Sequence, residues 1–395
     1  MNNTWKIYML ALISFFVGTS QFGIVGMLDK IAESVGVSVS TAGQLVTVFA
    51  LGNAIGTPVV MVATAKMSQR KQLLLALSII LIGIISTLAF TGFGFLMASR
   101  VLLGIGSGVF VVTAYSIAAK LASPGKQGGA MANVAMGYSS SLVFGVPIGR
   151  VIAGSYDWKT IFWIIGIFSL LSVFVVAKAI PNLEGEGAMP FSKRMAPLKN
   201  PQIAVTLGVT FFIFIGFSVV DTYITPYLTE IMPAAKHEIS VVLFAMGLAS
   251  VVGSKIGGLF ADRFGTFRTL MGSMLLQLIA LVLLSAGSKW IVFSVVMLML
   301  WEVAVWMFGP TQNFNLVSLA PKASGIVLSL NSSFVQLGFA AGAGIGGITV
   351  SSISIMVITW VSAISVVCAS VLFILARSLS RSELLTKEGN NPSHL

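Results

Sequence analysis

Apolar residues run along this chain in long stretches, not as a stripe on one face. Each stretch approaches the ~20 residues that an α-helix needs to cross the hydrocarbon of a bilayer. The pattern predicts twelve helical spans, over roughly 6–28, 42–64, 71–92, 95–121, 129–154, 158–180, 202–228, 240–261, 268–287, 290–318, 324–350 and 353–377. Ten-residue segments of alternating polarity, the mark of a transmembrane barrel, are absent. One polar stretch outlasts the others, PNLEGEGAMPFSKRMAPLKN over residues 181–200, and its three prolines and mixed charge read as a linker. The chain is therefore predicted to be an all-α membrane protein. Its halves of six helices each occupy residues 1–180 and 201–377, with a tail over 378–395.

The halves echo each other weakly. TAKMSQRK over Thr64–Lys71 follows the second span, and FADRFGTFR over Phe260–Arg268 follows the eighth. The fifth and eleventh spans are both rich in glycine. Two related six-span halves are a transporter design, with the substrate site near the midplane between them. The stretch GYSSSLVFGVPIGRVIAG, Gly137–Gly154, is the most unusual of the spans. Its glycines and Pro147 weaken a helix in water but let two helices approach closely in lipid. It reads as a helix that packs tightly and bends.

Composition agrees with a lipid environment. The chain is 56% hydrophobic and 9% charged, with mean hydropathy +0.99, whereas soluble domains carry roughly a quarter charged residues. The net charge of +11 is topological, because lysine and arginine concentrate in alternate loops. Lys66, Arg70, Lys71, Lys120, Lys126, Lys193, Arg194, Arg263, Arg268 and Lys322 mark one side as the cytoplasm, and both termini fall there. No basic patch is interleaved with exposed aromatics, so nucleic acid is not an expected partner. Cys368 is the one cysteine, which excludes an internal disulfide. The first apolar run lacks a convincing cleavage site and is read as an anchor that stays in place.

No phosphate-cradling Gly-x-x-x-x-Gly-Lys-Ser/Thr loop is present. The two histidines, His237 and His394, lie in a loop and in the tail, and no Cys/His cluster exists. These absences point away from an enzyme, a metal centre or a cofactor, and toward an ion gradient as energy source. The informative residues are charges inside apolar spans, each costly unless paired or facing water. Asp221 in the seventh span and Glu302 in the tenth are the candidates for binding and releasing a coupling proton. Arg100 lies about two turns into the fourth span and needs an acceptor. Asp29 is its acidic candidate and Gln21 its neutral one. Arg150 is expected to snorkel to the outer interface. Tyr138, Tyr223, Trp301, Trp306, Asn313, Asn315, Asn331 and Gln336 add polar and aromatic groups to the inner spans. Apolar walls with a few convergent polar groups suit a flat or amphipathic small molecule.

Several segments carry a family resemblance. GGLFADRFGTFR over Gly257–Arg268 resembles the loop motif of the major facilitator superfamily, although the first-half copy has Ala65 and Ser68 where Asp and Gly are usual. Arg100 in SRVLLGIGSG is similar to the family's fourth-span arginine motif. Gly137, Gly145, Pro147 and Gly149 resemble its fifth-span antiporter motif, with Val146 intervening before the proline. Asp157–Phe162, DWKTIF, resembles the sixth-span start. Gln21-Phe22-Gly23 and AGQL…FALG over Ala42–Gly52 resemble bacterial exporters of purine bases, nucleosides and sugars, with Gln21 standing where many relatives carry an acid. The resemblance implies a proton-coupled exporter of drugs or small metabolites in the cytoplasmic membrane, monomeric, with protons and membrane lipid as its other partners. It also implies that Asp262, Arg263 and Arg268 form a cytoplasmic latch. An ion-coupled importer shares the fold, and a non-transporting sensor is the remaining alternative.

Overall fold

The computed structural model describes residues 3–90, 92–123, 127–184, 196–232, 238–287, 290–320 and 324–389. Most of the linker, with Lys193 and Arg194, and Lys126, His237, Lys322 and His394 lie outside the described residues. In the first half the helices are α1 (Thr4–Phe22), α2 (Leu28–Val35), α3 (Val39–Leu51), α4 (Thr57–Ala63), α5 (Gln69–Ala89), α6 (Phe93–Leu121), α7 (Gln127–Ser140), α8 (Val146–Ser155) and α9 (Lys159–Ala179). In the second half they are α10 (Pro201–Asp221), α11 (Ile224–Ile231), α12 (Ile239–Phe264), α13 (Thr266–Ala286), α14 (Ile291–Leu319), α15 (Ser324–Ser352) and α16 (Ile358–Gly389).

Among the described residues ten helices are long and apolar enough to cross a membrane, and α1 with the turn and helix after it forms an eleventh, bent by 43°. The predicted fifth span is the run Gln127–Ser155, built from α7, a π turn and α8. The twelve predicted passes are thus all helical. Successive passes alternate direction, so the bundle has an end that holds the termini and a far end opposite it.

Four of the passes are broken, and the chain shows why. Pro58 and Pro147 carry no N–H, so each leaves a carbonyl one turn earlier without its partner. A π turn precedes each proline, at Gly52–Gly56 and at Ser141–Gly145. The Val146 N–H reaches back five residues to the Ser141 carbonyl, the π register. The first and seventh passes break at matching places near the far end, between α1 and α2 and between α10 and α11. These matched breaks are the clearest trace of the internal repeat.

Packing follows composition. The fifth pass lies along α1, and a Cβ at Gly137 would fall on the Ala11 backbone carbonyl. Glycine there lets the backbones touch, the way membrane helices gain van der Waals contact. Trp163, Ile167 and Phe174 on α9 are 57–60% exposed and form a face suited to lipid. One apolar core runs through both halves. A smaller cluster, Ile203, Leu207, Leu316, Val327 and Leu330, seals the termini end of the second half.

The halves meet closely at the far end. Among the described residues three side-chain hydrogen bonds cross between them. Ser40 Oγ donates to the Gly347 carbonyl (2.5 Å), Tyr223 Oη to the Ser40 carbonyl (3.4 Å) and Thr225 Oγ1 to the Val25 carbonyl (2.9 Å). All three lie toward the far end, which is shut in this conformation.

Candidate functional site

A cavity lies between the halves. The first half contributes Gln21, Phe22, Ile24 and Val25 from the first pass, Leu45, Val46, Phe49 and Ala50 from α3, and Arg100 from α6. The second half contributes Asp221 from the end of α10 and Phe339 from α15. It encloses about 340 Å3 of non-atom space, its mouth included. Eight of these eleven residues are apolar, so the three polar ones set its chemistry: an amide, a guanidinium and a carboxyl. The sequence singled out all three, and the fold brings them to one cavity, two from the first half and one from the second.

Each polar group is placed by its helix. Arg100 is 2% exposed, and its Nη1 donates to the Ser20 carbonyl at 2.7 Å. Its guanidinium lies 4.9 Å from the Phe162 ring centroid, a cation–π contact. Gln21 Oε1 accepts from the hydroxyl of Tyr138, so the amide is oriented by the fifth pass. Tyr138 in turn meets Phe22 edge to face at 5.8 Å. Asp221 is half-buried at the C-terminus of α10, beside the break at Thr222–Tyr223.

Glu302 sits one layer behind. It is 5% exposed, and its Oε1 accepts from Trp306 Nε1 at 2.8 Å, one helical turn away on α14. Its Oε2 is buried with no hydrogen-bond partner among the described residues. Aromatic rings connect it to the cavity. Phe217, one turn before Asp221, stacks on Trp301 at 5.6 Å and meets Trp306 edge to face at 6.2 Å and Phe339 at 5.5 Å. Phe217, Phe22, Phe49 and Phe339 escaped the list of predicted site residues, because among 27 phenylalanines hydropathy alone does not distinguish wall from filler.

Other predicted residues fall elsewhere. Asn331 Nδ2 donates to Asn313 Oδ1 at 2.9 Å, and Thr210 Oγ1 to Asn331 Oδ1 at 2.7 Å. Gln312, which sequence reading passed over, donates to the Thr206 carbonyl and to Thr210 Oγ1. This network ties α10, α14 and α15 together at the termini end, outside the cavity. Asn315 reaches only Thr266, at 3.5 Å. Gln336 is buried on α15 without lining the cavity. Tyr223 is fully buried away from the cavity, its hydroxyl on backbone carbonyls.

The ion pairs differ from expectation. Asp29 does not meet Arg100. Both of its carboxylate oxygens accept from Arg150 Nη1, at 2.6 and 2.7 Å. Arg150 therefore points inward and does not snorkel; its side chain is 14% exposed. The bend after Phe22 swings α2 toward α8, which carries Asp29 to Arg150 and away from α6. Gln21 likewise gives its oxygen to Tyr138, so Arg100 takes a backbone carbonyl instead. Asp262, Arg263 and Arg268 are exposed at the termini end, with Arg263 over the Phe264 ring and no salt bridge among the described residues. In the fifth pass Gly145 lies against Thr19 and Gly149 against Gly23, with Pro147 in the first turn of α8.

Comparison with known proteins places this architecture. A chain from Bacillus subtilis (strain 168) described as the uncharacterized MFS-type transporter YbcL is 44% identical over 369 residues, covering 93% of this chain and 95% of its own length. Among solved structures, a bacterial homolog of the human lysosomal transporter Spinster, in an inward-facing and occupied conformation, superposes with a TM-score of 0.78 at 16% identity over 95% of this chain and 97% of its own. The human organic anion transporter MFSD10 (TETRAN) gives 0.69 at 16% identity, covering 93% and 98%. A D323A mutant of the nucleoside transporter NupG gives 0.75 at 11% identity, covering 95% and 100%. The family model of the Major Facilitator Superfamily matches twice, over residues 10–219 and 206–394, once for each half. With two matched halves, a cavity between them and a relative of nearly equal length, this chain belongs to the major facilitator superfamily and is a multi-pass membrane transporter, not an enzyme.

Proposed function

We propose that the protein is a proton-coupled exporter of small organic molecules such as drugs, purine bases, nucleosides or sugars. It would work in the cytoplasmic membrane with both termini in the cytoplasm. One observation carries the reading: Asp221 lines the cavity between the halves, and the buried Glu302 is joined to that wall through Phe217, Trp301 and Trp306. A carboxyl group in the wall of a cavity between two membrane-spanning halves is a candidate carrier of a coupling proton. Taking up that proton removes negative charge from the cavity, and releasing it restores the charge. A substrate bound against Phe22 and Phe339 would compete for the deprotonated state. The organic anion and nucleoside transporters of the same fold support small organic substrates in general. The lysine and arginine bias supports the orientation.

On this reading Asp262, Arg263 and Arg268 form the latch of the cytoplasmic side. They stand exposed while the far end is shut. The fifth pass, with Gly137, Gly145, Pro147 and Gly149, supplies close packing on α1 and supports export over import. Residues 181–200 would join the two halves as a linker.

The test is reconstitution into vesicles whose outer face is the termini side and whose lumen is acidic. Candidate substrates should accumulate in exchange for protons. Asp221→Asn combined with Glu302→Gln should abolish gradient-driven accumulation while leaving substrate equilibration across the membrane. Intact accumulation in that double variant would refute the coupling assignment. Accumulation that instead requires protons moving in the same direction as substrate would make the protein an importer.

A further inference from the structure

At the far end Tyr223 makes one of the three hydrogen bonds between the halves, and its ring sits in a hollow that both halves line. Tyr223 occupies the break between α10 and α11, with φ −107° and ψ 14°, outside helical geometry. The side chain is 0% exposed. Its hydroxyl donates to the Ala343 carbonyl of its own half at 3.0 Å and lies 3.4 Å from the Ser40 carbonyl of the other half. One phenolic hydrogen is thus shared between two carbonyls on opposite sides of the seam.

The ring has room only because glycines surround it. A Cβ at Gly43 on α3 would fall on the tyrosine hydroxyl and the ring carbon that bears it. A Cβ at Gly346 on α15 would come 2.7 Å from ring Cε2, and one at Gly347 would come 2.8 Å from the hydroxyl. Both distances are well inside van der Waals contact. The hollow is therefore assembled from two helices that belong to different halves. The other two bonds across the seam, Ser40 to Gly347 and Thr225 to Val25, flank it.

The geometry points to Tyr223 as the key of the far-end gate and to Gly43 of the first half as its socket. Packing within the second half alone would need Gly346 and the Ala343 carbonyl but not Gly43. When the halves part at this end, the ring leaves Gly43 and the hydroxyl gives up Ser40, while its bond to Ala343 travels with it. The key is thus retained by one half and released by the other. Tyr223 is also two residues past Asp221, across a break in the helix, so a shift of the cavity acid reaches the gate through a very short stretch of backbone. The role rests on the alternating access of the proposed transporter, but on neither its substrate nor its coupling ion.

A distance measurement decides the matter without substrate or gradient. In a Cys368→Ser background, spin labels at Glu33→Cys and Ser352→Cys report the width of the far end from two exposed sites on opposite halves. The parent should show one short distance. Gly43→Ala, which fills the socket, should turn the short distance from the majority into a minority species. Gly43→Ala with Tyr223→Ala should give the same distances as Tyr223→Ala alone, because the clash has lost its partner. Tyr223→Phe, with the ring but no hydroxyl, should populate both distances. A folded Gly43→Ala protein that keeps only the short distance overturns the assignment, as does a double variant that opens further than Tyr223→Ala alone. If Gly43→Ala does not fold, a single short distance in Tyr223→Phe overturns it equally. Transport that proves uncoupled from protons would leave all of these distances unaffected, so the two readings fail separately.

Discussion

At the residue scale, the two buried arginines illustrate what tertiary structure adds. Arg100 and Arg150 are both recognisable in the sequence as cations inside apolar spans, and their partners are not. Asp29 lies 121 positions from Arg150, and only the bend after α1 brings them together. Removing one member of a largely buried pair leaves the other charge uncompensated. Arg150→Ala should therefore lower stability by ~1–3 kcal/mol, less than a fully buried pair would cost because Asp29 remains 25% exposed. Asp29→Ala with Arg150→Ala should cost less than the sum of the single changes, read as melting temperatures of the purified protein in detergent. Trp306→Phe removes the one hydrogen bond to Glu302 but keeps an aromatic ring beside Phe217. Its expected effect is on the pH midpoint of gradient-driven transport, with little change in melting. An unmoved midpoint would separate the indole from the coupling reaction.

At the element scale, hydropathy marked every pass, because length and apolarity are properties of the local chain. The interruptions were far less visible. A π turn inserts one residue into the register and leaves hydropathy unchanged. Proline signals it only in part: Pro58 and Pro147 each follow a π turn, whereas Pro310 sits inside α14 without one. The break at Thr222–Tyr223 has no π turn but falls one turn before Pro226, which cannot donate to the Thr222 carbonyl, and it bears a contact across the seam. Close packing was legible in the glycines of the fifth pass, and its partner helix was not. Gly137→Val should force the fifth pass off α1 and cost ~1–3 kcal/mol, the usual range for overfilling a tight contact. Gly154→Val, where no atom lies within 4 Å of the new Cβ, is the control and should melt like the parent.

At the scale of the whole molecule, the repeat visible in the loops becomes two halves joined along two seams. One seam runs between α3 and α15 and the other between the fifth pass and α12, where Phe144 meets Phe244 at 5.9 Å. A Cβ at Gly344 would stand 3.9 Å from Thr47 Oγ1 in the opposite half. Thr47→Cys with Gly344→Cys, again in Cys368→Ser, should crosslink readily in this conformation. Oxidation should then stop transport and reduction should restore it; continued exchange by the crosslinked protein would mean that the halves need not part here. Both π turns lie on these seams, Gly52–Gly56 beside α15 and Ser141–Gly145 against α12, and both belong to the first half. The helices they face, α12 and α15, are unbroken along their length. A π turn is loosely wound and yields at the cost of about one backbone hydrogen bond. On the proposed alternating access, the rocking motion would run on elastic bearings mounted in one half and stiff rails in the other. Both π turns belong to the half whose cavity wall holds Arg100 and no carboxylate, so the loosely wound turns and the cavity acid stand on opposite sides of the seam.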